Sequence, residues 1–363
     1  MNIKSLLLGS AAALLAVSGA RAADAVVMAE PEPVDYVRVC DVYGAGFYYI
    51  PGTETCLSIS GYVWYQIAAG NYRDAGDTPG YSTSADGWAK STRARVNFDA
   101  RSETEWGTLR GYIRLQASWG LPVDGAVLAD QAWLSLGGLQ MGYTESAWAA
   151  SFNGGATNWG SHSWGGMYYG YAQRHQISYT FQGGNGLLAT LSLEDDALAG
   201  DGYMPDVVGK IGVNQGWGSV WAKVGFADSY NALGDSGWGA SVGMQWNVPS
   251  MPGSSLRLIG YYSDSDNRFG SGTALGVQSN WSVLASYNHQ FSPNFGASVA
   301  FQYFNDLYVA GTDVSSGVNA WGAEVSAVWL PVQNFEVRPE IHYDKVDGLD
   351  GTVSGFLRFT RYF

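Results

Sequence analysis

Positive charge is in short supply: 19 lysines and arginines stand against 32 aspartates and glutamates, a formal net charge of -13. A polyanion needs a basic face to bind, so nucleic acid is excluded as a partner. Beyond the first 22 residues no run of about 18 apolar residues occurs, which excludes membrane-spanning helices. Histidine is scarce too. His162, His175, His289 and His342 are the whole set, and none stands in the G-x-S-x-G or H-E-x-x-H context of a hydrolase. Cysteine is reduced to Cys40 and Cys56.

What is present begins with Met1-Asn2-Ile3-Lys4, an apolar stretch from Leu6 to Val17 and Ser18-Gly19-Ala20-Arg21-Ala22. A charged start, a short apolar middle and small residues before a cut describe a secretory signal peptide over 1–22. Its removal takes away Lys4 and Arg21 and no acid, so the mature chain carries -15. Secretion also places the two cysteines in an oxidising compartment, where one Cys40–Cys56 disulfide is expected and a free thiol pair is the alternative. Residues 23–56 read as an N-terminal lead-in on the periplasmic side, with Glu30-Pro31-Glu32-Pro33 in its extended first half.

From residue 57 onward the pattern has period two. Leu57, Ile59, Val63, Tyr65 and Ile67 alternate with Ser58, Ser60, Tyr62, Trp64 and Gln66. Likewise Thr92, Ala94, Val96, Phe98 and Ala100 alternate with Arg93, Arg95, Asn97, Asp99 and Arg101, and Leu109, Ile113 and Leu115 with Arg110, Tyr112, Arg114 and Gln116. Such alternation marks strands with one apolar face. Thirteen further strands are read near 129–136, 138–143, 173–182, 186–194, 206–213, 217–227, 237–247, 255–263, 279–289, 294–304, 319–330, 334–344 and 353–363, making sixteen.

The connections alternate short and long: 102–105, 137–138, 183–185, 214–216, 248–253, 292–293 and 331–333 against 68–89, 144–172, 195–205, 264–278 and 305–318. A Greek-key sandwich does not confine its long loops to every second position. The expected class is therefore all-β, a transmembrane 16-stranded antiparallel up-and-down β-barrel over 57–363, of the kind found in the outer membrane of Gram-negative bacteria. Two apolar faces carry an aromatic at each end, Trp238-Ala240-Val242-Met244-Trp246 and Trp321-Ala323-Val325-Ala327-Trp329, as interfacial girdles require. The last strand closes on Phe363, a terminal aromatic that resembles the signal read by barrel-assembly machinery.

Specific stretches resemble the porins of α-proteobacteria, the Rhizobium and Brucella type of general diffusion channel. They are Asp35-Tyr36-Val37-Arg38-Val39-Cys40-Asp41 with Tyr43-Gly44-Ala45-Gly46, Ile50-Pro51-Gly52-Thr53-Glu54-Thr55-Cys56-Leu57, Ser102-Glu103-Thr104-Glu105, Leu136-Gly137-Gly138-Leu139, Phe181 to Gly186, Asp201-Gly202-Tyr203-Met204-Pro205, and the closing Arg358-Phe359 with Arg361 and Phe363. The resemblance covers nearly the whole chain. It implies a homotrimer, a passive water-filled channel for small hydrophilic solutes and ions, and an inward fold of the third long loop, 144–172, that narrows the pore.

By alternation Arg93, Arg95, Arg110 and Arg114 point into the lumen and form a basic wall, unless Asp99 and Glu105 neutralise it. Glu324, Glu336 and Glu340 face the lumen as well. After Glu145 the loop has no acid before Gln173 and instead carries Trp148, Phe152, Asn153, Trp159 and Trp164, a departure from the acidic half-ring that the resemblance implies. These residues are the candidate constriction, although aromatics in such a loop more often pack it onto the wall. Asp74, Asp77, Asp86, Glu194, Asp195, Asp196, Asp201, Asp264 and Asp266 gather in the outer loops, where cations bridging to lipopolysaccharide or plain solvation would account for them. No catalytic residue, cofactor or metal site is expected. The alternatives are a channel selective for a sugar or aromatic solute, a barrel hydrolase and a plugged structural barrel.

Overall fold

The structure, a computed structural model, describes residues 38–71, 86–120, 125–149, 167, 170–195, 204–273 and 276–363. The expected signal peptide and Phe152, Asn153, Trp159 and Trp164 lie outside the described residues. The chain divides into residues 1–38 and a compact unit from Val39 to Phe363.

The strands are β1 (Phe47–Tyr49), β2 (Cys56–Asn71), β3 (Asp86–Thr104), β4 (Gly107–Trp119), β5 (Leu128–Leu136), β6 (Leu139–Glu145), β7 (Gln173–Gln182), β8 (Leu187–Glu194) and β9 (Asp206–Gln215). They continue as β10 (Gly218–Ala227), β11 (Gly237–Asn247), β12 (Ser255–Ser263), β13 (Ser271–Gly272), β14 (Gln278–Ser292), β15 (Phe295–Leu307), β16 (Ala320–Val332), β17 (Phe335–Val346) and β18 (Thr352–Tyr362). Each long strand pairs antiparallel with its neighbours in the chain, and β18 pairs back onto β2 from Ser354↔Gly70 to Tyr362↔Tyr62. The sheet thus closes into a barrel of sixteen strands, β2–β12 and β14–β18, with β1 and β13 as short additions to β2 and β14.

Closure removes the sheet edge, whose unpaired backbone groups would be costly in hydrocarbon. The alternation then sorts side chains. On β2, Ile59, Val63, Tyr65 and Ile67 are exposed while Trp64, Gln66 and Ala68 are buried. On β11, Trp238, Val242, Met244 and Trp246 are exposed, and Trp329 and Val325 repeat this on β16. A continuous apolar exterior of this extent suits lipid.

Turns at one end are tight because few backbone states reverse a strand in two residues. Gly137 and Asn334 occupy positive φ, 55° and 61°, in the β5–β6 and β16–β17 turns, the left-handed conformation that glycine and asparagine tolerate best. The extents of β2 and β3 differ from expectation: they run to 16 and 19 residues. Their alternation fades toward residues 70 and 87, where polar and glycine residues leave no apolar face to read although the ladder continues through Gly70↔Gly87.

Cys40 and Cys56 form the expected disulfide, with Cα atoms 6.0 Å apart. It ties the 3-10 turn Asp41–Tyr43 and β1 to the start of β2. Arg101, from β3, lies over the rings of Tyr43 and Phe47 at 5.6 and 4.9 Å, so this segment packs on the barrel end.

Candidate functional site

The inward faces of β18, β2, β3 and β4 build one wall of the lumen. Antiparallel register sets Arg95 opposite Gln116, Arg93 opposite Ser118, Asn97 opposite Arg114 and Arg101 opposite Arg110. Arg93 Nε donates to Ser118 Oγ at 3.0 Å, and Arg95 Nε donates to Gln116 Oε1 at 3.0 Å. Arg358, on β18, joins them by donating to Gln66 Oε1 at 2.8 Å. Trp64 lies against two guanidinium groups, Arg93 at 5.3 Å and Arg358 at 4.9 Å, and Tyr62 faces Arg95 at 5.1 Å. Cation–π contact and neutral acceptors hold these side chains in place.

Neutralisation is uneven along the wall. Asp99 takes both Arg101 and Arg110 at 2.6 and 2.8 Å, so Arg110 belongs to an ion-paired level near the short-turn end. Arg114 lies four residues further along β4, roughly 14 Å away at a strand rise of about 3.4 Å. There the only carboxylate within ion-pair distance, among the described residues, is Asp130, 3.5 Å from both Arg95 and Arg114. Asp130 reaches the lumen through a β-bulge: Arg114 pairs with Gln131 and Leu115 with Ala129, leaving Asp130 as the extra residue. Strict alternation would have turned it outward, and for that reason the sequence reading missed it. Glu105 takes no part, since it accepts from the Trp106 indole at 3.0 Å in the turn.

The opposite side of the lumen is filled. The segment that follows β6 enters the barrel: Ala147, Trp148 and Ala149 are 5, 1 and 0% exposed. Glu194 on β8 accepts from Ser146 Oγ at 2.7 Å and from the Ala147 amide at 2.8 Å, while Lys223 on β10 donates to the Trp148 carbonyl at 2.6 Å. Residues 264–273, from a stretch expected as an outer loop, also turn inward. Arg268 bonds Asp206 at 2.5 Å and Glu194 at 2.9 Å, and Phe269, fully buried, meets the Trp148 ring edge-on at 5.2 Å. Trp148, Phe269, Trp221, Ile259, Tyr261 and Leu284 form one apolar cluster inside the barrel, and Met167 joins it. Trp148 therefore packs rather than facing a water path. Glu145 lies at the end of β6 with Arg114, Lys210 and Lys223 as its cationic neighbours. Nearby, Tyr171 keeps its phenol proton, since burial first and then Asp130 and Glu145 push it up to about 12.

Exposure varies on both sides, with Arg95 on the wall at 11% and Arg268 on the filled side at 13%. Lys223 and Arg257 on the filled side are 3 and 4% exposed, whereas the side chains of Arg101, Arg110 and Arg114 are 25, 30 and 22% exposed. Of the residues outside the expected constriction, Arg358 was legible from alternation, on the same face as Phe356 and Thr360. Lys210 and Lys223 were legible too, as lone cations on inward positions. Arg268 carried no pattern at all, because loops have none.

Comparison with known proteins agrees with this architecture. Residues 24–355 match the family model described as porin subfamily. The porin Omp2b of Brucella suis biovar 1 is 36% identical with full coverage of both chains, and Omp2b of Brucella melitensis biotype 1 is similar to the same degree. Among solved structures, the outer-membrane channel DcaP of Acinetobacter baumannii superposes with a TM-score of 0.66 at 15% identity, covering 87% of this chain and 99% of that one. An anion-selective porin from Comamonas acidovorans gives 0.62 at 11% identity over 85% of this chain and all of that one. A closed sixteen-stranded barrel with an apolar exterior and a charged lumen, matched along its whole length to such proteins, belongs to the porin subfamily and serves as a channel in the Gram-negative outer membrane.

Proposed function

We propose that solutes cross this barrel along the arginine wall, and that Arg93, Arg95, Arg114 and Arg358 bias the passage toward anions. The observation that carries this reading is the asymmetry of the lumen among the described residues: one side is packed, and the other presents six guanidinium groups, four of them paired with Asp99 or Asp130. Arg110 and Arg101 contribute least, since Asp99 bonds both at 2.8 and 2.6 Å, whereas Asp130 lies 3.5 Å from Arg95 and Arg114. Glu145 borders the path where the loop enters. Phe152, Asn153, Trp159 and Trp164 would complete the narrow part as aromatic and amide surface without added acid. The channel is passive and carries no catalytic role. It works as a homotrimer whose apolar exterior meets lipid, lipopolysaccharide and neighbouring subunits, and barrel-assembly machinery inserts it by the strand that ends in Phe363.

A unit charge about 4 Å from an ion in water is worth about 1 kcal/mol, or roughly fivefold in a permeability ratio. In planar bilayers under a KCl gradient, Arg93→Ala with Arg95→Ala should move the zero-current potential toward cation preference by a change of that order. Arg110→Ala should move it much less. Equal shifts from the two variants would sink the assignment of the wall. Absence of conductance steps from folded trimers would remove the channel reading along with it.

A further inference from the structure

Arg93 differs from its neighbours on the wall in what its guanidinium touches. Its Nε donates to Ser118 Oγ at 3.0 Å, and its Cζ lies 5.3 Å from the centre of the Trp64 ring. The ladder places both partners, since Trp64 stands directly opposite Arg93 on β2 and Ser118 directly opposite it on β4. The ring holds the flat face of the guanidinium and the hydroxyl holds one edge. The direction of the fork formed by Nη1 and Nη2 is thereby set. Among the described residues no carboxylate lies within ion-pair distance of Arg93, and no acceptor meets that fork.

The neighbouring guanidinium groups are engaged. Arg95 uses Nε and Nη2 on Gln116 Oε1 at 3.0 and 2.5 Å and lies 3.5 Å from Asp130. Arg114 donates to the Tyr112 hydroxyl at 3.3 Å and shares Asp130. Arg101 and Arg110 each give two bonds to Asp99, at 3.0 and 2.6 Å and at 2.8 and 2.8 Å. Asp99 thus shows within this same wall what a guanidinium fork accepts, the two oxygens of one carboxylate. Arg358 adds positive charge beside Arg93, with its Cζ 4.9 Å from the same Trp64 ring. Arg95 adds more from two residues along the same face, about 7 Å away by strand rise.

We propose that the Nη1–Nη2 end of Arg93 is a subsite for oxyanions, solutes that present a carboxylate or phosphate group, and that the channel thereby favours them over monatomic anions. The subsite rests on the reading of this wall as the path for anions. A planar fork of N–H groups matches two oxygens of one carboxylate or phosphate, and such charge-assisted pairs are roughly twice as strong as neutral hydrogen bonds. A halide has one centre and gains nothing from the spacing of the fork. Little side-chain freedom is lost on binding, because Trp64 and Ser118 already hold the guanidinium. Ser118 is in this sense a positioning residue. Trp64 is only 8% exposed and carries two guanidinium groups, so the subsite reads the oxyanion group of a solute and offers no open ring for stacking.

The test records chloride current through the purified protein in planar bilayers while inorganic phosphate is added at constant ionic strength, with bromide as the monatomic control. Wild type should show a saturable fall in current with phosphate and none with bromide. Arg93→Lys keeps the charge and loses the fork, so the half-blocking phosphate concentration should rise at least about tenfold, the equivalent of one charge-assisted hydrogen bond. Ser118→Ala should raise it about two- to tenfold. Phosphate without effect on wild type overturns the subsite, as does bromide that blocks equally well or an Arg93→Lys channel blocked at the wild-type concentration. The zero-current potential of the same channels under a KCl gradient tests the underlying reading separately. Cation preference together with a phosphate block that Arg93→Lys loses would remove the anion path and keep the subsite, whereas anion preference without block would do the reverse. Should Arg93→Lys give no folded channels, Ser118→Ala decides, and an unchanged half-blocking concentration there overturns the subsite.

Discussion

Arg268 shows how much one side chain can organise in this lumen. Its guanidinium joins Asp206 and Glu194, lies over the Phe269 ring at 4.2 Å, and reaches Ser146 at 3.4 Å. Glu194 and Asp206 are 0 and 1% exposed, so removal of Arg268 leaves two buried carboxylates facing each other. Breaking a buried pair by deleting one partner costs about 3–5 kcal/mol. Arg268→Ala should lower the thermal unfolding midpoint in detergent clearly and add fluctuations to the open-channel current, since Glu194 also holds Ser146 and Ala147. An unchanged midpoint and a quiet current would show that the latch is dispensable. The wall arginines were legible from alternation alone. Arg268 was not, because its partners lie 74 and 62 residues away in the chain.

At the level of the elements, β10 and β11 carry glycine where neighbouring strands carry side chains. Gly225 and Gly239 point inward, and a Cβ on either would overlap Phe269. On β11, Gly243 leaves room in the same way for the Trp221 ring. These glycines make a shallow niche on the barrel wall, and the buried loop docks there. Gly239→Val should overpack the niche at a cost of about 1–3 kcal/mol, with Phe269 expelled and residues 264–273 opened to protease while the barrel stays closed. Resistance of that loop to cleavage in the variant would contradict the niche. The strands themselves were readable because the period of two survives wherever one face meets lipid. Glycine in a strand says only that something approaches closely, and not what approaches. The bulge that turns Asp130 inward was equally silent, since one extra residue in a ladder leaves no mark in the alternation.

For the whole molecule the decisive feature is closure. The final residue pairs with the first long strand through two backbone bonds, Gly61 N–H to the Phe363 carbonyl at 2.9 Å and Phe363 N–H to the Gly61 carbonyl at 3.1 Å. Arg361, which breaks the apolar face of β18, donates to the Asn334 carbonyl at 3.2 Å at the rim. Deleting Phe363 removes both bonds to Gly61, worth about 1 kcal/mol each in ordinary surroundings and more at an apolar boundary. The shortened chain should give fewer folded barrels and a lower unfolding midpoint, with unit conductance unchanged in those that form. Wild-type yield and midpoint would mean that the preceding pairs suffice for closure.

Strand number, the side of the sheet that meets lipid, the disulfide and the inward arginines follow from the sequence alone, because each rests on local periodicity or on a count of residue types. The tertiary structure decided which arginines pair with Asp99 and Asp130, which described segments fill the lumen, and which carboxylates end up sharing one histidine. These depend on register across sixteen strands and on loops with no period of their own, and a charge is cancelled by whatever lies near it in space, however distant in the chain.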